Sequence, residues 1–251
     1  MAEFGYRPNP AARALVSQKQ GPIVGIIISA SEIQFFSPVI DALRKTAAYY
    51  ERFGLRTEWR LLTGDSAADQ CTAIADLRKL GASAIIITPI SEPDVIRTIE
   101  DCIHNEIFVI ALNNDVASNL PHVYVGSDYA EGGRTAAALL RKLHAGPVHA
   151  VAIYSGVRIL GHIHRIEGFR TRLSVEPDCV LTDVTTHFDD DIQAYENTLQ
   201  SLDAHPEINA FFIATSGGTH GVCKALAKMG RTKDITVVSF DITPAVRSAM
   251  Q

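Results

Sequence analysis

Three stretches decide the fold: Ile23-Val24-Gly25-Ile26-Ile27-Ile28, Ala84-Ile85-Ile86-Ile87 and Ile107-Phe108-Val109-Ile110-Ala111-Leu112. Each is an unbroken apolar run, rich in β-branched residues, without the polar alternation of a strand that has one wet face. A parallel strand covered on both faces needs such a run. Between and after them come segments with helical spacing at residues 35–53, 67–80 (ended by Gly81) and 93–104, and a further strand at 55–62. Strand–helix alternation of this kind predicts a doubly wound parallel sheet with right-handed crossovers.

A second series follows: strands at 123–126, 148–154, 179–186, 210–213 and 235–240, with helices at 132–143, 161–174, 190–204 and 217–229. Two series predict two doubly wound parallel-sheet α/β lobes, residues 21–121 and 122–251, with the split near 121–127. Open α/β sheets bind ligands at the carboxyl ends of their strands. Two such lobes facing each other would form a cleft. Residues 1–20 stand apart as a third segment, because Arg7, Arg13 and Lys19 face Glu3 alone there. Residues 8–16 read as a helix of two or three turns, too short to hold its shape unaided.

Composition narrows the function classes. The chain has 251 residues, 47% hydrophobic and 20% charged, which is ordinary globular usage. Its net charge of −5 opposes DNA binding by charge alone, which needs surplus Lys and Arg. Cys71, Cys102, Cys179 and Cys223 have no CxxC spacing, so neither a zinc ribbon nor a dithiol site is indicated. Scattered thiols suit buried positions in a reducing compartment and predict a cytoplasmic location. Basic residues before the run at 23–28 imitate a signal peptide, but that run is short and Gly21-Pro22 opens it as a strand. No run reaches membrane-spanning length. Nucleophile-elbow, zinc-protease, phosphate-loop and dinucleotide motifs are all missing, so no enzyme, cofactor or metal site is expected. Asp189-Asp190-Asp191 opens a helix, where acids suit the dipole, and reads as capping.

The string Tyr6-Arg7-Pro8-Asn9-Pro10-Ala11-Ala12-Arg13-Ala14-Leu15 resembles the hinge of LacI-type (lactose-repressor-like) transcription regulators. Weaker motifs agree in order: Phe35-Phe36, Val125-Gly126-Ser127-Asp128 with Gly132-Gly133, Arg165-Ile166-Glu167-Gly168-Phe169, and Ser239-Phe240-Asp241. The resemblance implies a sensor of the periplasmic-binding-protein type that takes a sugar or polyol effector as a homodimer. It also implies a helix-turn-helix ahead of this hinge and further elements after Gln251 that return to the first lobe. On that reading the chain is a piece, and operator DNA is a partner only of the full-length parent. Leu15 would wedge into the minor groove and Arg7 and Arg13 would touch phosphates, with Asn9 and Ala12 in the same hinge.

The candidate ligand contacts sit at strand ends. Phe35 and Phe36 follow the first strand, where a ring can lie on a pyranose; core packing is the plainer alternative. Asn113 and Asn114 offer paired donors and acceptors, or simply a turn. The resemblance puts a sugar-binding arginine at Ile163, so Arg158, His162 or His164 would have to replace it, with Arg165 nearby. Ser216, with Gly217-Gly218, can present backbone N–H groups or form a tight turn. Asp241 can accept two hydroxyls or cap the helix near Pro244. The main reading is therefore the effector-sensing domain of a LacI-type regulator; the alternative is the solute-binding protein of a sugar transporter.

Overall fold

The computed structural model describes residues 21–156, 159–188 and 190–250; the expected hinge helix at 8–16 and the hinge contacts Arg7, Asn9, Ala12, Arg13 and Leu15 lie outside them. The chain divides into two compact units, the first ending at Gly126 and the second starting at Ser127.

The first unit runs β1 (Ile23–Ile28), a 3-10 turn (Gln34–Phe36), α1 (Ser37–Glu51), β2 (Arg56–Leu61), α2 (Ala67–Lys79), β3 (Ala82–Ile87), α3 (Pro93–His104), β4 (Phe108–Leu112) and β5 (Val123–Val125). Its five strands are parallel in the order β2-β1-β3-β4-β5. One sheet face packs Ile27, Ile85, Ile87 and Val109 against Ile74 and Leu77 of α2 and Val95 and Ile99 of α3. The other packs Ile26 and Ile28 against Phe36 and Ile40. Full burial of such side chains stabilises by about 1.5–3 kcal/mol each.

The second unit runs α4 (Tyr129–Leu143), β6 (Val148–Tyr154), α5 (Leu160–Leu173), β7 (Cys179–Thr186), α6 (Asp191–Ala204), β8 (Ala210–Ile213), α7 (Thr219–Lys228), β9 (Thr236–Val238) and α8 (Pro244–Ala249). Its parallel order is β7-β6-β8-β9. Phe169 of α5 stacks on Phe212 of β8 with ring centroids 4.3 Å apart, both fully buried.

Two expectations need correction. The strand at 123–125 belongs to the first sheet, because Ile110 pairs with Val123 and Leu112 with Val125. The boundary therefore falls at 126/127 and not at 121/122. The strand expected at 235–240 is ordered as a strand only at Thr236–Val238. Arg56, Glu58 and Arg60 alternate along β2. It is an edge strand, where charge discourages pairing with another sheet.

Helix ends follow local chemistry. The Asp128 carboxylate accepts from Glu131 N at 2.9 Å to open α4, and Asp190 accepts from Ile192 N at 2.8 Å to open α6. All four cysteines are free; Cys102 and Cys179 are buried, whereas Cys71 and Cys223 are half-buried. Burial pushes the Cys102 thiol up to about 11.

The loop between β4 and β5 is pinned by His122. Its Nε2 lies 2.8 Å from Asp115 Oδ1 and its Nδ1 2.8 Å from Leu120 O. Burial opposes the charge on this ring, but two acceptors favour the imidazolium and the net effect raises its pKa above 6.5. The stabilisation is thus fully present below the unfolded value and fades as pH rises through the folded one. His122→Ala should cost about 1 kcal/mol in that lower window and less above it, as urea unfolding at the two pH values would show.

Candidate ligand-binding site

In the first unit the strand ends are tied together from beneath by Gln70 of α2, which is fully buried. Its Nε2 donates to Ser29 Oγ and, at 2.8 Å, to Thr88 O; its Oε1 accepts from Ile90 N at 3.3 Å. Ser29 N donates to Thr88 Oγ1 at 2.9 Å, so the ends of β1 and β3 form one network. Of the two phenylalanines, Phe36 is buried in the core and Phe35 is half-buried beside it, the rings 5.1 Å apart edge to face. Only Phe35 keeps area for a ligand.

At the end of β4, Asn113 adopts φ +65°, a left-handed conformation that Asn tolerates better than most residues. Its N–H donates to Val125 O at 2.8 Å, and its C=O accepts from Tyr124 Oη at 2.9 Å. Asn113 is thus a turn residue. Asn114 is buried at 5% exposure, and its Oδ1 has no hydrogen-bond partner among the described residues. A buried acceptor left alone costs about 1–3 kcal/mol, so this oxygen favours any donor that can reach it.

In the second unit the strand ends carry two hydroxyl–imidazole pairs. Ser155, after β6, places Oγ 2.7 Å from His162 Nδ1. His187, after β7, is fully buried with Nε2 3.0 Å from Thr215 Oγ1. Thr215 donates its own hydrogen to Gly217 O at 3.1 Å, which makes His187 Nε2 the donor of the pair. Burial, then the positive charges of Arg165 and His187, hold His162 down to about 3. Burial holds His187 down to about 4, against the pull of Asp191 and Asp190. Both rings are therefore neutral at physiological pH. Gly218, at φ +76°, lets the loop before α7 approach His187, since a Cβ there would come within 3.0 Å of the ring.

The other sequence candidates separate. Arg165 is buried at 8% exposure, its guanidinium 4.4 Å from the Tyr129 ring and 3.8 Å from the Phe240 ring, with Nη1 donating to Ala214 O at 2.8 Å. It supports the end of β8 from within. His164 is exposed on the polar side of α5, and Ile163 is half-buried. Arg158 lies outside the described residues. Ser216 is half-buried in the tight turn before α7, and its C=O accepts from Thr219 Oγ1 at 3.5 Å. Asp241 is exposed with φ +63°, three residues beyond β9. It does not cap α8; Thr243 Oγ1 does, accepting from Val246 N at 3.3 Å.

Sequence reasoning passed over Gln70, Ser155, His187, Phe188 and Thr215. Gln70 looks like one polar residue among many on an amphipathic helix, and only burial reveals it. Phe188 follows β7 at φ +47° and is 65% exposed, with its ring beside Gly156. An aromatic residue two positions past a strand was its signal. Among the described residues no cluster of three His, Cys, Asp or Glu is placed to hold a metal, and no helix is long and apolar enough to cross a membrane.

Two parallel sheets of this topology, with polar groups gathered at the strand ends, define a two-unit α/β binding protein. The chain belongs to the periplasmic binding protein domain family, whose model matches residues 24–251. It is similar to the ribose import binding protein RbsB of Bacillus subtilis (strain 168), at 26% identity over 222 residues, covering 87% of this chain and 69% of that protein. Its fold is similar to an ABC transporter solute-binding protein from Burkholderia graminis C4D1M in complex with D-arabinose (TM-score 0.80, 20% identity, 93% of this chain and 81% of that one). It is also similar to GanP, a glucose-galactose binding protein from Geobacillus stearothermophilus (0.80, 18%, 90% and 80%). A periplasmic solute-binding protein from Actinobacillus succinogenes 130z with bound D-allose is a further likeness (0.75, 21%, 90% and 81%). The hinge-like string at 6–15 lies before the family match.

Proposed function

We propose that this chain binds a neutral sugar or polyol reversibly and does no chemistry on it, as the solute-binding proteins of sugar transporters do. One observation carries the reading. At the strand ends of each unit, taken by itself, the polar groups are uncharged hydrogen-bonding partners: the Asn114 amide in the first, the Ser155–His162 and His187–Thr215 pairs in the second. Neutral amides, hydroxyls and imidazoles offer donors and acceptors together, which is what a ring of hydroxyls needs. Half-exposed Phe35 and exposed Phe188 add aromatic faces. The sugar-bound relatives support the same ligand class.

Calorimetric titration against D-ribose, D-arabinose, D-allose, D-glucose and the matching alditols tests this. Saturable heat with at least one of them is expected, with the sugar recovered unchanged by NMR. No heat across the panel, or turnover of a bound sugar, would overturn the proposal.

A second reading is favoured by the string Tyr6–Leu15: a cytoplasmic sugar sensor of a LacI-type regulator, working as a pair of subunits on operator DNA. The two readings share a ligand and differ in address. Fractionation of the source cells decides between them, since a transporter's receptor is exported and a regulator stays with DNA.

A further inference from the structure

The turn that presents Asn114 is held from behind by one imidazole. Asn114 N donates to Leu112 O at 2.7 Å across Asn113, whose φ is +65°. A three-residue turn of that hand is rare and strained, and it persists where its surroundings hold it. On one side Asn113 is tied to β5, through its N–H to Val125 O and through its C=O to Tyr124 Oη. On the other side the tie is Asp115. Its Oδ1 accepts from Val116 N at 2.8 Å and lies 2.8 Å from His122 Nε2, and Val116 is buried in the core of the unit. His122 Nδ1 lies 2.8 Å from Leu120 O, so the ring clamps the start of the loop at 113–122 to its end.

The His122 side chain is only 10% exposed. Both of its ring nitrogens face oxygens that carry no hydrogen, a carboxylate and a carbonyl. A neutral imidazole has one N–H and satisfies one of them; only the imidazolium donates to both. Loss of the proton sets a nitrogen lone pair against an oxygen lone pair, and the clamp opens on that side. Burial opposes the charge on the ring, yet the two acceptors prevail and raise its pKa above 6.5. Other titratable groups face the loop as well. Glu100 of α3 accepts from Ser118 Oγ at 2.6 Å, and Tyr124 of β5 donates to Asn113 O. Of these residue types, histidine is the one whose ordinary charge change falls between about pH 5 and about pH 8.

We propose that His122 is a positioning residue for Asn114, clamping its turn as an imidazolium and releasing it as an imidazole, so that the chain holds its sugar more tightly in mild acid than in mild base. The affinity clause rests on the reading of Asn114 as a ligand contact. The clamp is whole below 6.5 and opens as pH rises through the folded value of the ring. His162 and His187, held down to about 3 and about 4, stay neutral in the folded chain throughout this range and do not blur the comparison.

Two measurements on the full chain, between about pH 6 and about pH 8.5, test the proposal. In the ligand-free chain, NMR should show the His122 ring Cε1–H and the Asn114 Cγ carbon moving with one common midpoint above 6.5. Calorimetric titration with D-ribose, or with the member of the sugar panel that binds most tightly, should give about fivefold tighter binding at the lower pH. His122→Gln, neutral at every pH, should bind at the weaker level at both values. Asp115→Asn should lower the ring midpoint and the affinity midpoint together. A merely structural loss would instead weaken binding by the same factor at both pH values. A ring midpoint at or below 6.5, an Asn114 carbon indifferent to it, equal affinity of the parent at both pH values, or a His122→Gln chain that keeps the parent's pH dependence would each overturn the proposal. If no sugar of the panel binds at either pH, the affinity clause falls with the ligand reading, whereas the clamp still stands or falls on the NMR midpoints.

Discussion

Gly133→Ala should unfold the second unit or cost on the order of 3 kcal/mol or more, whereas Gly132→Ala, one residue earlier, should stay within about 1 kcal/mol of the parent. Both glycines lie in α4, where alanine by propensity alone would stabilise. The difference is what each would meet. A Cβ on Gly133 would sit 2.0 Å from Arg165 O and 2.8 Å from Phe169 N, both backbone atoms of α5. Gly168 is its counterpart, with a Cβ only 2.0 Å from Ala130 O of α4. The two helices touch backbone to backbone, and neither side can yield by rotating a side chain. Making room would move α5 by more than an ångström. That would pull Phe169 off its stack on Phe212 and Arg165 off Ala214 O. At Gly132 the nearest atoms are the Phe240 ring carbons at 3.3 Å, which a small tilt relieves. Urea unfolding of the two variants, followed by circular dichroism, is the measurement. Equal stabilities would show that the helices part without penalty.

This contrast bears on what the sequence could reveal. Apolar runs and helical spacing placed most elements, and α3 (Pro93–His104) and β6 (Val148–Tyr154) fall where the pattern put them. Period, however, describes one element at a time. Val123–Val125 looks the same whichever sheet it joins, and only the hydrogen bonds to β4 assign it. The candidate site was legible as a set of positions after strands and not as a set of roles. Phe35 and Phe36 are alike in sequence, yet one turns into the core. Arg165 reads as a ligand-binding cation until Tyr129 and Phe240 are seen on its guanidinium. Asp241 lost its place at a strand end because β9 stops at Val238. Such roles depend on contacts between residues distant in sequence, which a single chain read alone does not display.

Acid should weaken the second unit through its two histidines, by about 4 kcal/mol between about pH 8 and about pH 5. The sign follows from the direction of the shifts. His162 and His187 are held down to about 3 and about 4 in the folded chain, from 6.5. Above 6.5 both rings are neutral folded or unfolded, and pH changes nothing. As pH falls through 6.5 the unfolded chain takes up protons that the folded chain refuses, so the unfolding free energy drops. The loss continues until the folded values are reached. About pH 5 lies roughly 1.5 pH units below the unfolded value of each histidine, which costs about 2 kcal/mol apiece. His122 in the first unit is shifted upward and responds in the opposite sense. The single tryptophan, Trp59, lies in β2 of the first unit, so its fluorescence follows that unit while circular dichroism follows both. Urea unfolding at the two pH values should therefore show the circular-dichroism midpoint falling further than the Trp59 midpoint. His162→Asn together with His187→Gln keeps a neutral hydrogen-bonding group near each hydroxyl, and should flatten the pH dependence. If the double variant loses as much stability in acid as the parent, the linkage lies in other groups and these two rings are not its source.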